Sequence, residues 1–155
     1  MNRKDQFRSL GREAGLNTPE VFAEAVVPDC AVIVKPVDAF SGKGISVIAS
    51  PTADSLSRAR QLAEQESSRG RCIVERYLEG QLYSHSAFYR DGKMQADFFV
   101  IEHGSANPYV VDTSCVTDLS PAVSHSARTQ ADTLVAHLAL ACLLYTSPSP
   151  RDLST

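Results

Sequence analysis

The chain has 155 residues, of which 43% are hydrophobic and 21% charged, with a formal net charge of -3. That apolar share suits one globular domain or part of a larger one. The near-neutral charge gives no reason to expect nucleic acid or an anionic membrane as a partner. The four cysteines, at positions 30, 72, 115 and 142, form no CxxC pair, so neither a zinc site nor a disulfide framework is indicated and a reducing cytoplasm is expected. The first residues, MNRKDQFRSLGRE, are polar and amphipathic, unlike a secretory signal. The most apolar window, LVAHLALACLLY, has 12 residues and includes His137, which is too short to span a bilayer.

In chain order, residues 4–14 read as a helix with Phe7, Leu10 and Ala14 on one face, ended by Gly15 and followed by an extended linker, LNTPE. Residues 31–37 read as a strand, and Gly44–Ala49 as its antiparallel partner. Residues 52–69 form a second helix with Leu56, Ala59, Leu62 and Ala63 as its apolar stripe, closed by Gly70. RCIVERYL (71–78) is a strand leading to a turn at Glu79-Gly80. Strands over 82–90 and 93–102 flank Asp91-Gly92, a strong hairpin signal. A further strand covers 108–116, and a last helix about 126–140 carries Ala131, Leu134, Val135 and Leu138 as its stripe. Strands and helices mix without a βαβ rhythm, so the class is α+β.

The stretch VIVKPVDAFSGKGISVI is the most informative. It is not a P-loop, because Gly42-Lys43-Gly44 is followed by Ile45 and the upstream position 37 is Val. Nor is it a dinucleotide fingerprint, because position 47 is Val47 and β-branched residues follow in place of a helix. Two readings stand. One is a hairpin loop without a ligand. The other is an anion cradle: Lys35 shares its strand face with Ile33 and Val37, where an ammonium must snorkel or find an anion, and FSGKG offers backbone N–H groups and a cation.

The order of motifs resembles the ATP-grasp superfamily, the carboxylate–amine and carboxylate–thiol ligases that include biotin carboxylase, carbamoyl-phosphate synthase and D-alanine–D-alanine ligase. The resemblance runs over roughly residues 3–140. RKDQFRSLGREAGLNTP supplies a lysine opening a helix, with Lys4 placed 11 positions before Gly15. VIVKPV supplies the strand lysine, Lys35, and FSGKGI the glycine-rich loop with Ser41, Gly42, Lys43 and Gly44. CIVERYLEG supplies the adenine hinge. The resemblance implies that Lys4 and Lys35 reach ATP phosphates and that the loop closes over the triphosphate. It further implies that Glu75 lies near the adenine amino group, with the backbone of Arg76, Tyr77 and Leu78 along the base. An acidic residue for the ribose is expected shortly after the hinge. The register puts Leu82 there, and Glu79 is the substitute. The implied chemistry is ATP-dependent phosphorylation of a carboxylate to an acyl phosphate, which an amine or thiol then attacks, with Mg²⁺ on the phosphates. ATP and an unspecified carboxylate are the implied partners.

Family members carry a Rossmann-like lobe before the first helix and a Glu…Glu-x-Asn metal set well after the hinge. Here three residues precede Lys4, and no E-x-N follows Glu102. Residues 1–141 are therefore expected to be a partial ATP-grasp domain, inactive by itself, with the small nucleotide-gripping lobe over about 26–75 and the start of the large lobe behind it. A non-catalytic nucleotide-binding or interaction module with the same fold is the alternative. The end, CLLYTSPSPRD, resembles the conceptual translation of a transposase adapter used in preparing sequencing libraries. That implies a non-native tail over 142–155, disordered apart from a possible helical extension at CLLY. The histidines at 85, 103, 125 and 137 have no helical metal-ligand spacing and read as neutral surface or cleft residues. Glu102 and His103 are placed beside the nucleotide or substrate cleft by position alone.

Overall fold

Alternation along VIVKP sends Val32 and Val34 to one side of a strand and Ile33 and Lys35 to the other. The computed structural model describes residues 3–104, 110–140 and, for the backbone alone, 142–147, and it uses both sides. The described elements are α1 (Lys4–Glu13), β1 (Val32–Pro36), β2 (Ser46–Ile48), α2 (Ala53–Glu66), β3 (Cys72–Arg76), β4 (Leu82–Arg90), β5 (Lys93–His103), β6 (Thr113–Thr117), α3 (Pro121–His137) and β7 (Cys142–Ser147). They fall into two units: Met1–Leu10 with Thr18–Leu78, and Gly11–Asn17 with Glu79–Thr155.

In the first unit the sheet order is β2-β1-β3, all antiparallel. Val32, Val34 and Val74 form one core with Leu56, Ala59 and Ala63 of α2. The helix begins where Thr52 and Ser55 cap each other's backbone N–H groups. Leu62 departs from the expected stripe: it is 45% exposed, because Leu56, Ala59 and Ala63 alone face the sheet. The opposite face of the sheet carries Ile33, Lys35, Ile73 and Glu75, with Ile33 opposite Glu75 and Lys35 opposite Ile73. The far edge of β3 is lined by residues 20–22: the N–H of Phe22 donates to Val74 O, and the N–H of Arg76 to Glu20 O, both at 2.9 Å.

In the second unit the sheet order is β6-β5-β4-β7. Asp91 (φ 53) and Gly92 (φ 69) both adopt positive φ between β4 and β5, the two-residue turn that matches strand twist. Ala87 and Tyr89 pack on Ala131 and Val135 of α3, and the Tyr89 hydroxyl donates to Asp132 at 2.8 Å. Helix α3 starts at Pro121, earlier than residue 126, because Ser120 caps it and Pro121 occupies its first turn. Leu138 caps its other end and is exposed. Strand β6 begins at Thr113; residues 108 and 109 of the expected strand lie outside the described residues.

Two further expectations are corrected. His85 is no surface residue: it is 4% exposed, its Nε2 lies 2.9 Å from Asp97 Oδ2, and its ring stacks on Phe99 at 4.4 Å. Arg128 completes the group, donating from Nε to Asp97 Oδ2 at 2.7 Å. Cys142–Ser147 neither prolong α3 nor form a disordered tail; they pair antiparallel with β4. Ala139, at φ 50, ends the helical path, and the edge of β4 offers an open row of backbone groups to any β-prone run such as CLLYT. Residues 148–155 lie outside the described residues.

Gly44 has φ +65, and a Cβ there would stand 2.9 Å from both Pro36 Cγ and Glu66 Cβ. Gly70 has φ +60 with nothing within 4 Å. Gly70→Ala should therefore cost the left-handed backbone penalty alone, about 1–2 kcal/mol. Gly44→Ala should cost measurably more in urea unfolding, and equal losses at the two positions would contradict this packing.

Candidate functional site

Lys4 and Arg8 lie one helical turn apart on α1, so they share a face. The N–H of Lys4 donates to Val37 O at 2.9 Å, which fixes the start of the helix against the end of β1. Its Nζ donates to Ala39 O at 2.6 Å. Arg8 Nε donates to Glu75 Oε1 at 2.5 Å, and Lys35 Nζ forms an ion pair with Glu75 Oε2. The carboxylate is 1% exposed, against 11% for the Arg8 side chain and 17% for Lys35. Two cations thus hold one buried carboxylate, and a third, Lys4, feels its charge from the start of the loop.

The electrostatics follow from that count. Burial alone would push the Glu75 carboxyl up, but the Lys35 charge and the Arg8 hydrogen bond outweigh it and hold the group below its ordinary value. Lys4 is lowered as well, but there the charged form is the one disfavoured: burial and then the charge of Lys35 push its ammonium down, against the pull of Asp38 and Glu75. Asp38 is the larger of those two attractions on Lys4, and its carboxylate also accepts from Ser67 Oγ at 2.6 Å and Ser68 Oγ at 2.5 Å and faces Arg69 at 3.8 Å. Those hydrogen bonds, Ser67 first, hold Asp38 below the usual carboxylate range.

The glycine loop is pinned at both stems on the end of α2. Asp38 is tied to Ser67 and Ser68, and Gly44 abuts Glu66. Between them Ser41 (φ 58), Gly42 (φ 69) and Gly44 (φ 65) adopt left-handed backbone, and the N–H of Lys43 donates to Phe40 O at 3.4 Å. Ser41 and Lys43 are exposed, and Phe40 is 71% exposed. Left-handed residues in a short turn direct backbone N–H groups into a concavity suited to anions.

At the hinge, the N–H of Tyr77 donates to Ala31 O at 2.9 Å, and the Arg76 side chain pairs with Glu20 at 2.7 Å. The Arg76 N–H is already engaged with Glu20 O. Tyr77 and Leu78 are half-buried, and Glu79, in the second unit, is exposed. The structure thus brings together Lys4, Lys35 and Glu75 beside the start of the loop. Arg8, Asp38 and the Ser67-Ser68 pair escape the sequence reading. Arg8 was findable as the next residue along the Lys4 helix face; the Asp38 anchor joins residues 29 and 30 positions apart and leaves no local signal. In the second unit Glu102 accepts from Ser84 Oγ at 2.5 Å, and His103 is exposed.

No protein-family model and no curated protein matches the sequence. Solved structures do match its fold. The chain superposes with a TM-score of 0.67 on an L-amino acid ligase from Bacillus licheniformis, at 16% identity, covering 94% of this chain and 35% of that one. It matches an ADP complex of N5-carboxyaminoimidazole ribonucleotide synthetase with a TM-score of 0.68 at 18% identity, over 96% of this chain and 45% of that one. It matches a D-alanine–D-alanine ligase from Bacillus anthracis complexed with ATP with a TM-score of 0.57 at 20% identity, over 92% of this chain and 47% of that one. This is an ATP-grasp fold, present in part. The chain spans between a third and a half of the length of these three ligases and synthetases. Among the described residues no helix is long and apolar enough to cross a membrane. Nor does any group of three His, Cys, Asp or Glu side chains among them stand close enough to hold a metal ion.

Glu75 and His85, both buried and both lowered, predict separate acid limbs. Glu75 is ionised in the fold below its ordinary value of 4.5, so its contribution is present above that pH and is lost as pH falls through the lower folded value. Burial, opposed by Asp97, holds His85 below 6.5, so the unfolded chain takes up the proton first and stability declines as pH falls from about that value. Urea titrations across pH should show both limbs. Glu75→Gln should flatten the lower limb and His85→Asn the upper, and an unchanged profile in either variant would contradict the corresponding assignment.

Proposed function

We propose that the chain is the ATP-binding portion of an ATP-dependent carboxylate–amine or carboxylate–thiol ligase that works through an acyl phosphate. The observation that carries this reading is the local concentration of positive charge: Lys35 and Arg8 hold one buried carboxylate, and Lys4 stands at the start of a loop with three left-handed residues. Such a site is matched to a polyanion, because phosphate oxygens take up both ammonium charge and backbone N–H groups. In this reading Lys4 and Lys35 hold ATP phosphates, and Ser41, Gly42, Lys43 and Gly44 cover them. Glu75, Arg76, Tyr77 and Leu78 form the wall for adenine, with Glu79 toward the ribose. With the Arg76 N–H engaged, the base is assigned to the Arg76 carbonyl and to the backbone of Leu78. Two of the fold neighbours are an ADP complex and an ATP complex, which supports the choice of nucleotide.

The transferable part of the chemistry is positioning and charge neutralisation. Mg²⁺ would share the phosphate charge, but the described residues do not form a site for it, and no step is assigned to it. The whole protein would phosphorylate a carboxylate and pass the acyl group to an amine or thiol, in the cytoplasm. A genomic reading frame that supplies an E-x-N segment downstream supports that activity, and one that continues without it favours a non-catalytic nucleotide-binding module.

The site itself is tested by calorimetry of ATP with the chain and with Lys35→Ala. A charge-assisted contact is worth about 1.5–3 kcal/mol, so the Kd should rise roughly ten- to a hundredfold. An unchanged Kd would remove Lys35 from the site.

A further inference from the structure

Glu75 has one cation on each oxygen, and the two cations differ in kind. Arg8 projects from a helix, is 11% exposed and binds Oε1 through Nε of a planar guanidinium that stays charged. Lys35 ends a flexible four-carbon stem, is 17% exposed and is repelled by Lys4, whose ammonium rests on the carbonyl of Ala39 at the start of the loop. A phosphate arriving at Lys4 and the loop would draw Lys35 off Glu75. If Lys35 were the sole partner of Glu75, its departure would leave a buried carboxylate without a counter-ion, which is strongly unfavourable. Arg8 removes that obstacle.

We infer that Lys35 is a transferable cation and Arg8 the resident counter-ion of Glu75: on polyphosphate binding, Lys35 passes from the carboxylate to the phosphate while Arg8 stays. Arg8 is then a positioning residue that sets nucleotide affinity without touching nucleotide. The inference rests on the proposed function, since it takes ATP phosphates as the acceptor of Lys35. It concerns a residue outside the expected ATP contacts, and it makes Glu75 a competitor for Lys35 as well as a wall of the site.

The test is ATP calorimetry on the full chain with Arg8→Gln, Arg8→Lys, Glu75→Gln and the double variant Arg8→Gln/Glu75→Gln. Arg8→Gln should weaken ATP about tenfold, because Lys35 becomes the last counter-ion of a buried carboxylate. Arg8→Lys should stay within about threefold of the parent, since the charge is kept. The double variant should bind within about threefold of Glu75→Gln alone, because once the carboxylate is gone Arg8 has nothing to hold and nothing keeps Lys35 back. A purely structural role for Arg8 gives a loss that removing Glu75 does not rescue, and that result overturns the inference, as does Arg8→Gln binding at the parental Kd. Should Arg8→Gln alone fail to fold, the side-chain NMR of the parent decides: ATP must shift the Lys35 ε-methylene signal while the Glu75 carboxyl keeps its ionised shift. A Lys35 signal unmoved at saturating ATP overturns the hand-over. A parent chain that binds no ATP overturns the proposed function and this inference together; ATP binding insensitive to Arg8 overturns only the latter.

Discussion

A carboxylate that is almost wholly out of water must be neutral or must be held by cations, and Glu75 takes the second course. The rest of the first unit is arranged around that requirement. Strand β1 supplies Lys35 because alternation places it beside Glu75 on the sheet face away from α2. Helix α1 supplies Arg8 because its first N–H is tied to Val37 O, and that bond sets which helix face meets the sheet. The same face carries Lys4 to the start of the loop. One buried charge thus holds two cations, Arg8 and Lys35, while Lys4 is held at the start of the loop by the Ala39 carbonyl.

The glycine loop depends on the other face of the sheet. Helix α2 packs on Val32, Val34 and Val74 through Leu56, Ala59 and Ala63. Burying those side chains is what holds the end of α2 where Ser67 and Ser68 can grip Asp38 and where Glu66 meets Gly44. The apolar core therefore anchors the loop at both stems, while Ser41 and Gly42 between them take left-handed backbone, strained at the non-glycine Ser41. Strain held by well-packed anchors is compatible with a segment that changes partner when an anion arrives.

Much of this was legible from sequence because it is local. The strand periodicity of VIVKP, the Asp91-Gly92 turn and the glycine that ends α1 each act within a few residues. What escaped is what is made by tertiary contact. Arg8 pairs with a residue 67 positions away, and Asp38 with serines 29 and 30 positions away, so no window of sequence contains them. The start of α3 was missed for a different reason. Ser120-Pro121 is a capping signal, but polar residues from 124 to 130 hide the apolar stripe until Ala127 and Ala131 are seen against the sheet. The burial of His85 left no local signal, because its cross-strand partner is Phe99 and its acid, Asp97, lies on the neighbouring strand.

The low identity to proteins of the same fold also has a physical reading. An ammonium on a strand, N–H groups in a turn and carbonyls at a hinge ask for few particular side chains. The sheet and helix faces around them ask only for apolar residues of suitable size. Sequence can then drift widely at such positions, whereas a loop residue must stay glycine where φ is positive and space is short. Gly44 meets both conditions. Arg8 belongs to a looser class: any residue that keeps a positive charge against Glu75 from the same turn of α1 would serve. The constraint at that position is therefore on charge, and at Gly44 it is on volume.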